Sequence, residues 1–410
     1  MSPRILAAMA LAAIACKPAQ SPPTESVAME LQTLLDEAVA RGVPGISAAI
    51  ADSSGVIWTG VAGQADVLAG TPIQPEMLFG IGSITKTFAA VVLLQLADEG
   101  RLDLTATAAS ILGPAVAGIP NADRASIAQL MNHTSGVPSW EDDPVWIREG
   151  RGNRLDPARI WGRTETLPYI TGHQPLFEPG SKYSYSNTNY TLIGMIIERV
   201  TGNDPVAEIH RRILDPLGLA DIRLEGFEPV PSERVPHRYH WATPTFRQDA
   251  GVNPAFSETR PDLIDATGSN LSVEWTAGGM IATARDLARY GAALRDGKLL
   301  SPASMQVLTQ WRRIGDNAEV GHNVVRRTYP SGVALIGHDG DVLGFTGSLY
   351  WIEGSDVVVA VVANVGSMHS TSAGTGTATA DQVAGTAYTV SRDPRFVEAA
   401  GKLKASGPRS

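Results

Sequence analysis

Ser83-Ile84-Thr85-Lys86 is the stretch of sequence from which both the fold and the chemistry can be predicted. It is the only Ser-x-x-Lys in the chain, because none of the other lysines has a serine three residues before it. An apolar, helix-forming run follows at 88–97, and Gly100 suits the C-terminal end of a helix. Residues three apart share a helix face, so we expect Ser83 and Lys86 to stand side by side at the start of a buried helix.

This pair suits nucleophilic chemistry. A serine hydroxyl is a poor nucleophile until a base takes its proton, and a lysine amine can be that base when burial lowers its pKa. One alternative interpretation is purely structural, with a serine capping the helix and a lysine in its first turn. A phosphate-binding loop is excluded, because Thr85 stands where such a loop needs glycine.

Two further motifs follow in order along the chain. Tyr185-Ser186-Asn187 comes just before a helical run at 191–200, and His338-Asp339-Gly340 follows an apolar run at 333–336. Two connecting segments accompany them, Leu-Met-Asn-His-Thr-Ser-Gly at 130–136 and Gly-Gly-Met-Ile-Ala-Thr-Ala-Arg-Asp-Leu from 278. Together these segments resemble the serine penicillin-recognising hydrolases. The likeness is greatest to the branch with DD-carboxypeptidases, class C β-lactamase homologues, D-aminopeptidases and family VIII esterases. It extends from about residue 30 to about residue 364.

The resemblance implies an α/β (α+β) fold, in which a five-stranded antiparallel sheet is flanked by helices and joined to an inserted, mostly helical domain. The residues themselves predict a helix at 29–41 and strands at 45–51, 56–61, 333–337, 348–353 and 357–363. We therefore expect a sheet domain from 29–103 and 277–397, a helical domain from 104–276, and a site in the cleft between them.

The predicted reaction is acyl transfer, in which Ser83 attacks a carbonyl and water later releases the acyl-enzyme. Either Lys86 or Tyr185 could be the general base, and the sequence leaves that choice open. Asn187 is expected to hold Lys86 and to bind the substrate amide. By resemblance, the backbone N–H groups of Ser83 and Asp341 bind the oxyanion, and His338, Gly340 and Asp341 line the substrate site. In the structural alternative, Tyr185 is one more aromatic residue in a tyrosine-rich turn.

The third motif departs from the family in its charge. Many relatives carry lysine or hydroxyl groups here, which bind a substrate carboxylate, whereas this chain has His338 with Asp339 and Asp341 beside it. We expect the two carboxylates to repel anionic substrates if they face the cleft. Arg326 and Arg327, on the preceding segment, could restore a positive charge.

Composition narrows the partners. The chain has 410 residues, 43% of them hydrophobic and 18% charged, and a net charge of −9 with no basic cluster, which argues against nucleic-acid binding. We expect no cofactor, because the chemistry needs none, and no metal, because the histidines lack zinc-ligand spacing. The expected partners are a small-molecule or peptide substrate and a membrane, and the oligomeric state stays open.

The N-terminus predicts export. Residues 1–15 are typical of a signal peptide, and Ala13-Ile14-Ala15-Cys16 resembles a bacterial lipobox that would make Cys16 the lipidated first residue. Residues 16–28 then form a tether, and the protein is anchored at the periplasmic face of a bacterial membrane. An ordinary secretory signal is the alternative.

The predicted function is therefore a secreted serine hydrolase that cleaves an ester or amide through an acyl-serine, in the manner of a β-lactamase or DD-peptidase. A family VIII-type carboxylesterase or a D-aminopeptidase is the alternative within the same chemistry. A non-catalytic binding module is the alternative of another class, although such a module is expected to lose the serine or the lysine.

Overall fold

The computed structural model describes residues 23–371 and 386–405, and its centre is an antiparallel sheet. Nine strands form this sheet in the order β10-β11-β12-β13-β14-β15-β1-β2-β3, and the seven other strands of the described ranges form two small sheets. The strands are β1 Gly45–Asp52, β2 Gly55–Asp66, β3 Thr71–Pro72, β4 Phe79–Gly80, β5 Ile222–Leu224, β6 Tyr239–Trp241, β7 Ser257–Arg260, β8 Leu263–Asp265, β9 Met280–Ala282, β10 Arg312–Arg313, β11 Ala318–Val320, β12 Val325–Thr328, β13 Ala334–Val342, β14 Phe345–Ile352, β15 Val358–Ala363 and β16 Val365–Gly366.

The α-helices surround the sheet and fill the middle of the chain. They are α1 Pro23–Ala40, α2 Thr85–Asp98, α3 Ala108–Leu112, α4 Ile127–Met131, α5 Pro144–Trp146, α6 Asn187–Thr201, α7 Pro205–Ile209, α8 Asp215–Leu217, α9 Pro244–Asp249, α10 Trp275–Gly278, α11 Ala284–Arg295, α12 Pro302–Leu308, α13 Tyr388–Ser391 and α14 Pro394–Ala405.

The predicted antiparallel sheet flanked by helices is confirmed, but the expected number of strands is wrong. The five predicted strands are the adjacent central strands β13, β14, β15, β1 and β2. Four short strands extend the sheet at its two edges. Strands of two to four residues are too short to show an alternating pattern, which is why the sequence did not indicate them.

The sheet separates two hydrophobic layers. Alternate residues of β1 point to opposite faces, so Ile46 and Ile50 pack with α1 and α14, whereas Ala49 packs in the larger core that contains α2 and α11. Every residue of β15 is apolar and buried, because helices cover both faces of the sheet at this strand.

Two predicted regions, the tether and the helical segment 104–276, need correction. Helix α1 begins at Pro23, so residues 23–28 of the expected tether are helical. The segment 104–276 carries many of the helices, as expected, but also the short strands β5 to β8, so it is less purely helical than predicted. The division into two domains stays a prediction. Within the described ranges, no helix has the length and apolar character needed to span a membrane.

Candidate active site

A tight turn presents Ser83 to the third motif. Residues Gly82–Ile84 form one 3₁₀ turn before α2, and Gly82 adopts a φ of 51°, which favours glycine. A methyl group on Gly82 would lie 2.6 Å from the backbone nitrogen of Asp341. One on Gly340 would lie 1.9 Å from the carbonyl oxygen of Ile81 and 2.8 Å from the nitrogen of Ser83. Two glycines therefore allow the turn and strand β13 to meet backbone to backbone.

This close approach brings the two expected oxyanion donors to facing segments. The Ser83 nitrogen lies beside Gly340, and the Asp341 nitrogen lies beside Gly82. Strand β12 pairs only with residues 334–337 of β13, so residues 338–342 border the nucleophile turn and a cavity instead of another strand on that side. The arrangement is of the kind that two backbone N–H groups need to bind one oxygen.

Ser83, Lys86 and Tyr185 meet at one point. Lys86 Nζ lies 2.8 Å from Ser83 Oγ, and the Tyr185 hydroxyl donates to the same oxygen at 2.6 Å. Lys86 follows Ser83 by one helical turn, whereas Tyr185 arrives from the residue pair that precedes α6. The serine oxygen is thus in hydrogen-bond contact with both candidates for the general base.

Lys86 is fully buried, and this determines its proton affinity. Burial lowers the pKa of its ammonium to about 7, although the carboxylates of Glu141 and Glu274 act in the opposite direction. The Nζ also donates to the carbonyl oxygen of Ala277, which fixes its position. A large fraction of Lys86 is therefore the neutral amine near neutral pH, the form that can accept the Ser83 proton.

Tyr185 is a proton donor in this state of the site. Burial raises the pKa of its phenol well above the usual 10, and its O–H donates to Ser83. The sequence left open whether Lys86 or Tyr185 is the base. The two pKa directions favour Lys86 as the base in the resting enzyme and Tyr185 as an acid.

Asn187 does not hold Lys86 as expected. Its side-chain N–H donates to the buried carboxylate of Glu141, and its Oδ1 is buried without a hydrogen-bond partner among the described residues. The other Glu141 oxygen accepts from Arg151, which also reaches Glu274 at 2.7 Å. All three charged side chains are at most 4% exposed.

No pattern in the sequence predicts this charge cluster. Glu141, Arg151 and Glu274 come from three separate segments, and charged residues in loops are normally exposed. The one usable signal is that Glu141 stands between two buried tryptophans, Trp140 and Trp146. The cluster lies close enough to Lys86 to influence its charge.

His338 lines the cavity as a neutral imidazole. Burial lowers its pKa to about 4. Its Nδ1 donates to the carbonyl of Asp339, at 2.5 Å, which leaves the other ring nitrogen as an acceptor. Histidine therefore supplies no positive charge where many relatives have lysine.

The expected repulsion by Asp339 and Asp341 is not supported. Asp339 accepts from Ser348, Tyr350 and Arg392, and although burial alone would raise its pKa, Arg392 and Arg327 hold it at about 2. Its negative charge is thus balanced by two arginines.

Asp341 is balanced in a different way. It accepts from the backbone N–H groups of Ser367 and Met368, at 2.9 Å and 3.2 Å, and from the Ser367 hydroxyl. Burial raises its pKa to about 7 in spite of these bonds, so it carries only part of a charge at neutral pH. Neither carboxylate is a free anion in the cavity.

The cavity beside Ser83 has a volume of about 320 Å³, which is enough for a small molecule. Its wall includes Tyr183, Tyr185, Arg327, His338 and Tyr388. Arg327 contributes a cation to it, whereas Arg326 points elsewhere and pairs with Glu319 and Glu353. Cys16, the predicted lipidation site, lies outside the described residues.

Known proteins resemble this chain over most of its length. Esterase EstB of Burkholderia gladioli is 26% identical over 305 residues, which are 72% of this chain and 76% of the esterase. A D-stereospecific amidohydrolase from Streptomyces sp. is 30% identical, with a TM-score of 0.71 over 82% of this chain and 94% of that one. The D-amino acid amidase of Ochrobactrum anthropi SV3 has a TM-score of 0.78 at 27% identity, over 92% of this chain and 99% of that one.

The family model agrees with the site geometry. The model described as Beta-lactamase matches residues 31–384, a range that includes all three motifs and, apart from Tyr388, the residues of the cavity wall. On this match, with the nucleophile turn, the lysine and the tyrosine assembled as described, the chain belongs to the beta-lactamase family of serine hydrolases.

Proposed function

We propose that this protein hydrolyses esters or amides of small molecules through an acyl-Ser83 intermediate. The observation that carries the proposal is the pair of hydrogen bonds on Ser83 Oγ, from Lys86 at 2.8 Å and Tyr185 at 2.6 Å. A non-catalytic binding module has no use for a buried lysine with a lowered pKa beside a serine, so this geometry argues for an enzyme.

In the proposed mechanism, the neutral Lys86 amine takes the Ser83 proton as Oγ attacks the substrate carbonyl. The negative charge that forms on the carbonyl oxygen is bound by the N–H groups of Ser83 and Asp341. The Lys86 ammonium, or Tyr185, which bonds the same Ser83 oxygen, then protonates the leaving alkoxide or amine. Water then attacks the acyl carbon and gives a proton to the same pair, the bond from that carbon to Ser83 Oγ breaks, and Oγ takes the proton back as the acid product leaves.

The test is a substrate panel. Hydrolysis of a short-chain nitrophenyl ester, D-phenylalanine amide and benzylpenicillin should be measured with the wild type and with Ser83→Ala, together with the intact mass of each protein. Turnover or a mass increase of one acyl group in the wild type, absent from Ser83→Ala, supports the proposal. No turnover and no adduct on any member of the panel would exclude it.

The esterase and amidase relatives make the ester and the D-amino-acid amide the first substrates to test. A substrate with a carboxylate, such as a β-lactam or a D-Ala-D-Ala peptide, is the second candidate, because Arg327 lies in the cavity wall. Arg327→Gln should then reduce kcat/KM for benzylpenicillin and leave that for the neutral ester nearly unchanged. Arg326→Gln is the matched control, and equal losses on both substrates would argue against carboxylate recognition.

We also propose export and lipidation at Cys16, which rests on the signal-like residues 1–15 and the lipobox-like tetrapeptide alone. Cys16→Ser should release the protein from the membrane fraction and abolish labelling by a palmitate analogue. A wild-type protein whose mature form begins elsewhere would exclude the anchor.

A further inference from the structure

We propose that His133 is a positioning residue that holds Tyr185 against Ser83. The inference rests on the proposed function, because it assigns His133 a part in activating the same serine. His133 lies in the loop after α4 and is 1% exposed. It makes no described hydrogen bond to Ser83 or Lys86, whereas it contacts Tyr185 directly.

His133 binds the backbone on both sides of Tyr185. Its carbonyl oxygen accepts from the N–H of Ser184 at 3.0 Å, and its Nδ1 accepts from the N–H of Ser186 at 3.1 Å. The two residues that flank Tyr185 are therefore tied to a single residue of another loop. Because Tyr185 precedes α6, the helix itself does not fix the tyrosine's backbone.

The ring of His133 supports the tyrosine ring as well. The two rings are stacked, with centroids 4.2 Å apart and an angle of 27° between their planes. The ring centroids of Tyr183 and Tyr190 lie 6.1 Å and 5.6 Å from that of the same imidazole. The Tyr190 hydroxyl donates to the carbonyl of Met131, and neither tyrosine hydroxyl bonds Ser83. Among the tyrosines around His133, only Tyr185 is held by a face-to-face stack and by both neighbouring amides.

The contacts and the charge state of His133 favour a positioning role over an electrostatic one. Since Nδ1 accepts a hydrogen bond, the ring proton of the neutral form is on Nε2. Burial lowers the pKa of this imidazole well below 6.5, and Lys86 and His338 reinforce the shift. A neutral ring cannot stabilise a phenolate by charge, so its contribution is the placement of the Tyr185 oxygen.

The backbone of His133 supports this interpretation. Its φ of 57° lies in the left-handed region, which is uncommon for residues other than glycine, although histidine enters it more often than most. Such a conformation persists when the surrounding contacts impose it, and it occurs often at functional sites. Asparagine tolerates the same backbone, and its Oδ1 can replace Nδ1 as the acceptor for Ser186. His133→Asn therefore removes the ring stack and keeps an acceptor for the Ser186 N–H.

The experiment measures the rate at which a fluorophosphonate labels Ser83 in His133→Asn, His133→Ala, Tyr185→Phe and the two double variants. His133→Ala should label about 10- to 100-fold more slowly than the wild type, the range expected when a reacting group is displaced by about 1 Å. The labelling rate of His133→Asn should lie between those of the wild type and His133→Ala. In the Tyr185→Phe background, either change should cost less than about threefold, because two residues that act as a unit are not additive.

His210→Asn is the matched control, because His210 bonds Glu228 and Asp215, and none of these three residues lines the cavity. All variants are compared well below their melting temperatures. Equal losses in the wild-type and Tyr185→Phe backgrounds, or an unchanged rate in His133→Ala, would overturn the inference. A wild type that does not label would count against the proposed function instead.

A second readout does not require activity. In a crystal structure of His133→Asn or His133→Ala, the Tyr185 oxygen should lie farther from Ser83 Oγ than the 2.6 Å of the intact site. A tyrosine that keeps this distance in both variants would show that His133 does not position it, whether or not the protein is an active hydrolase.

Discussion

The surroundings of Lys86 decide how Ser83 can react. Lys86 is fully buried beside a serine and a tyrosine, and three further charged residues, Glu141, Arg151 and Glu274, lie near it. A lysine in water has a pKa near 10.4 and is a poor base at neutral pH, because almost all of it is protonated. Burial lowers the pKa of Lys86 to about 7, so the neutral amine is available to accept the proton of Ser83.

The pH dependence of acylation follows from this lowered pKa. The acidic limb of kcat/KM should lie near pH 7, with activity falling as the pH drops and Lys86 takes up a proton. Lys86→Ala and Tyr185→Phe should each reduce acylation by about 10²-fold or more, and the double variant should be barely worse than the worse single one. Losses that multiply would show that the two residues act independently.

Glu274 needs a control, because burial raises its own pKa to about 7. If the limb reports Lys86, Glu274→Gln should keep the limb and move it to lower pH, since a carboxylate that favours the ammonium is gone. Disappearance of the limb in this variant would assign it to Glu274.

Asp341 provides a test of folding stability. Its pKa is raised to about 7 by burial, so the folded state retains a proton that the unfolded chain loses near pH 3.8. The associated stability is present below pH 3.8 and is lost as the pH rises through 7. Asp341→Asn should remove this component. Its free energy of unfolding should therefore depend less on pH between 5 and 8, measured by urea denaturation, and an unchanged slope would contradict the assignment.

At the scale of elements, the site depends on the contact between β13 and the turn that carries Ser83. Gly340→Ala places a methyl group 1.9 Å from the Ile81 carbonyl oxygen, which is far inside van der Waals contact. The turn has to move, so we expect a loss of Ser83 labelling of about 10²-fold or more. Gly401→Ala is the control. Gly401 lies in α14 with open space around it, and alanine there should stabilise the helix by about 0.5–1 kcal/mol. Normal labelling in Gly340→Ala would contradict the proposed fit of turn and strand.

The sequence predicts elements well where a periodic pattern is long enough. Strands β1 and β15 and helices α2 and α6 each carry an apolar pattern, so their positions could be predicted to within a few residues. Strands β10 to β12 carry none, and they were missed. Ser83 and Lys86 could be predicted because their spacing is local, and Tyr185 because its Tyr-Ser-Asn motif resembles that of a known family. Glu141, Arg151 and Glu274 meet only through tertiary contacts, and no local pattern indicates them.

The same limit explains why the expected repulsion by Asp339 is not supported by the structure. Strand alternation correctly places Asp339 and Asp341 on the same face of β13. Their partners, however, come from 348–350, 367–368 and Arg392, and the sequence does not reveal which residues will neutralise a carboxylate. The positive partner Arg392 comes from the chain's C-terminal part, more than 50 residues away.

At the scale of the whole molecule, strands from the N-terminal and C-terminal parts of the described chain form one sheet. Strand β1 pairs with β15 on one side and β2 on the other, so the sheet joins N-terminal and C-terminal segments directly. The nucleophile turn comes from the N-terminal segment, Tyr185 from the middle and β13 from the C-terminal segment. The site therefore exists only in the folded molecule, which is why each motif alone says little about function.

The C-terminal part of the chain completes one wall of this site. Tyr388 lines the cavity and donates its hydroxyl to the carbonyl of Gly340 at 2.7 Å, and Arg392 binds Asp339. Helix α14 then packs against α1, which places the last described helix beside the first. Residues that follow the third motif in the sequence, Tyr388 and Arg392, therefore bind it and stabilise its position.

The central claim is that Ser83 is the nucleophile of an acyl-transfer site, and one measurement tests it most directly. Wild type and Ser83→Ala are incubated with a fluorophosphonate, and the adduct is located by intact mass and peptide mapping, with melting temperatures recorded for both proteins. We predict one adduct, on Ser83, in the wild type and none in Ser83→Ala, with nearly equal melting temperatures. A single adduct that persists in a folded Ser83→Ala protein would contradict the assignment of Ser83.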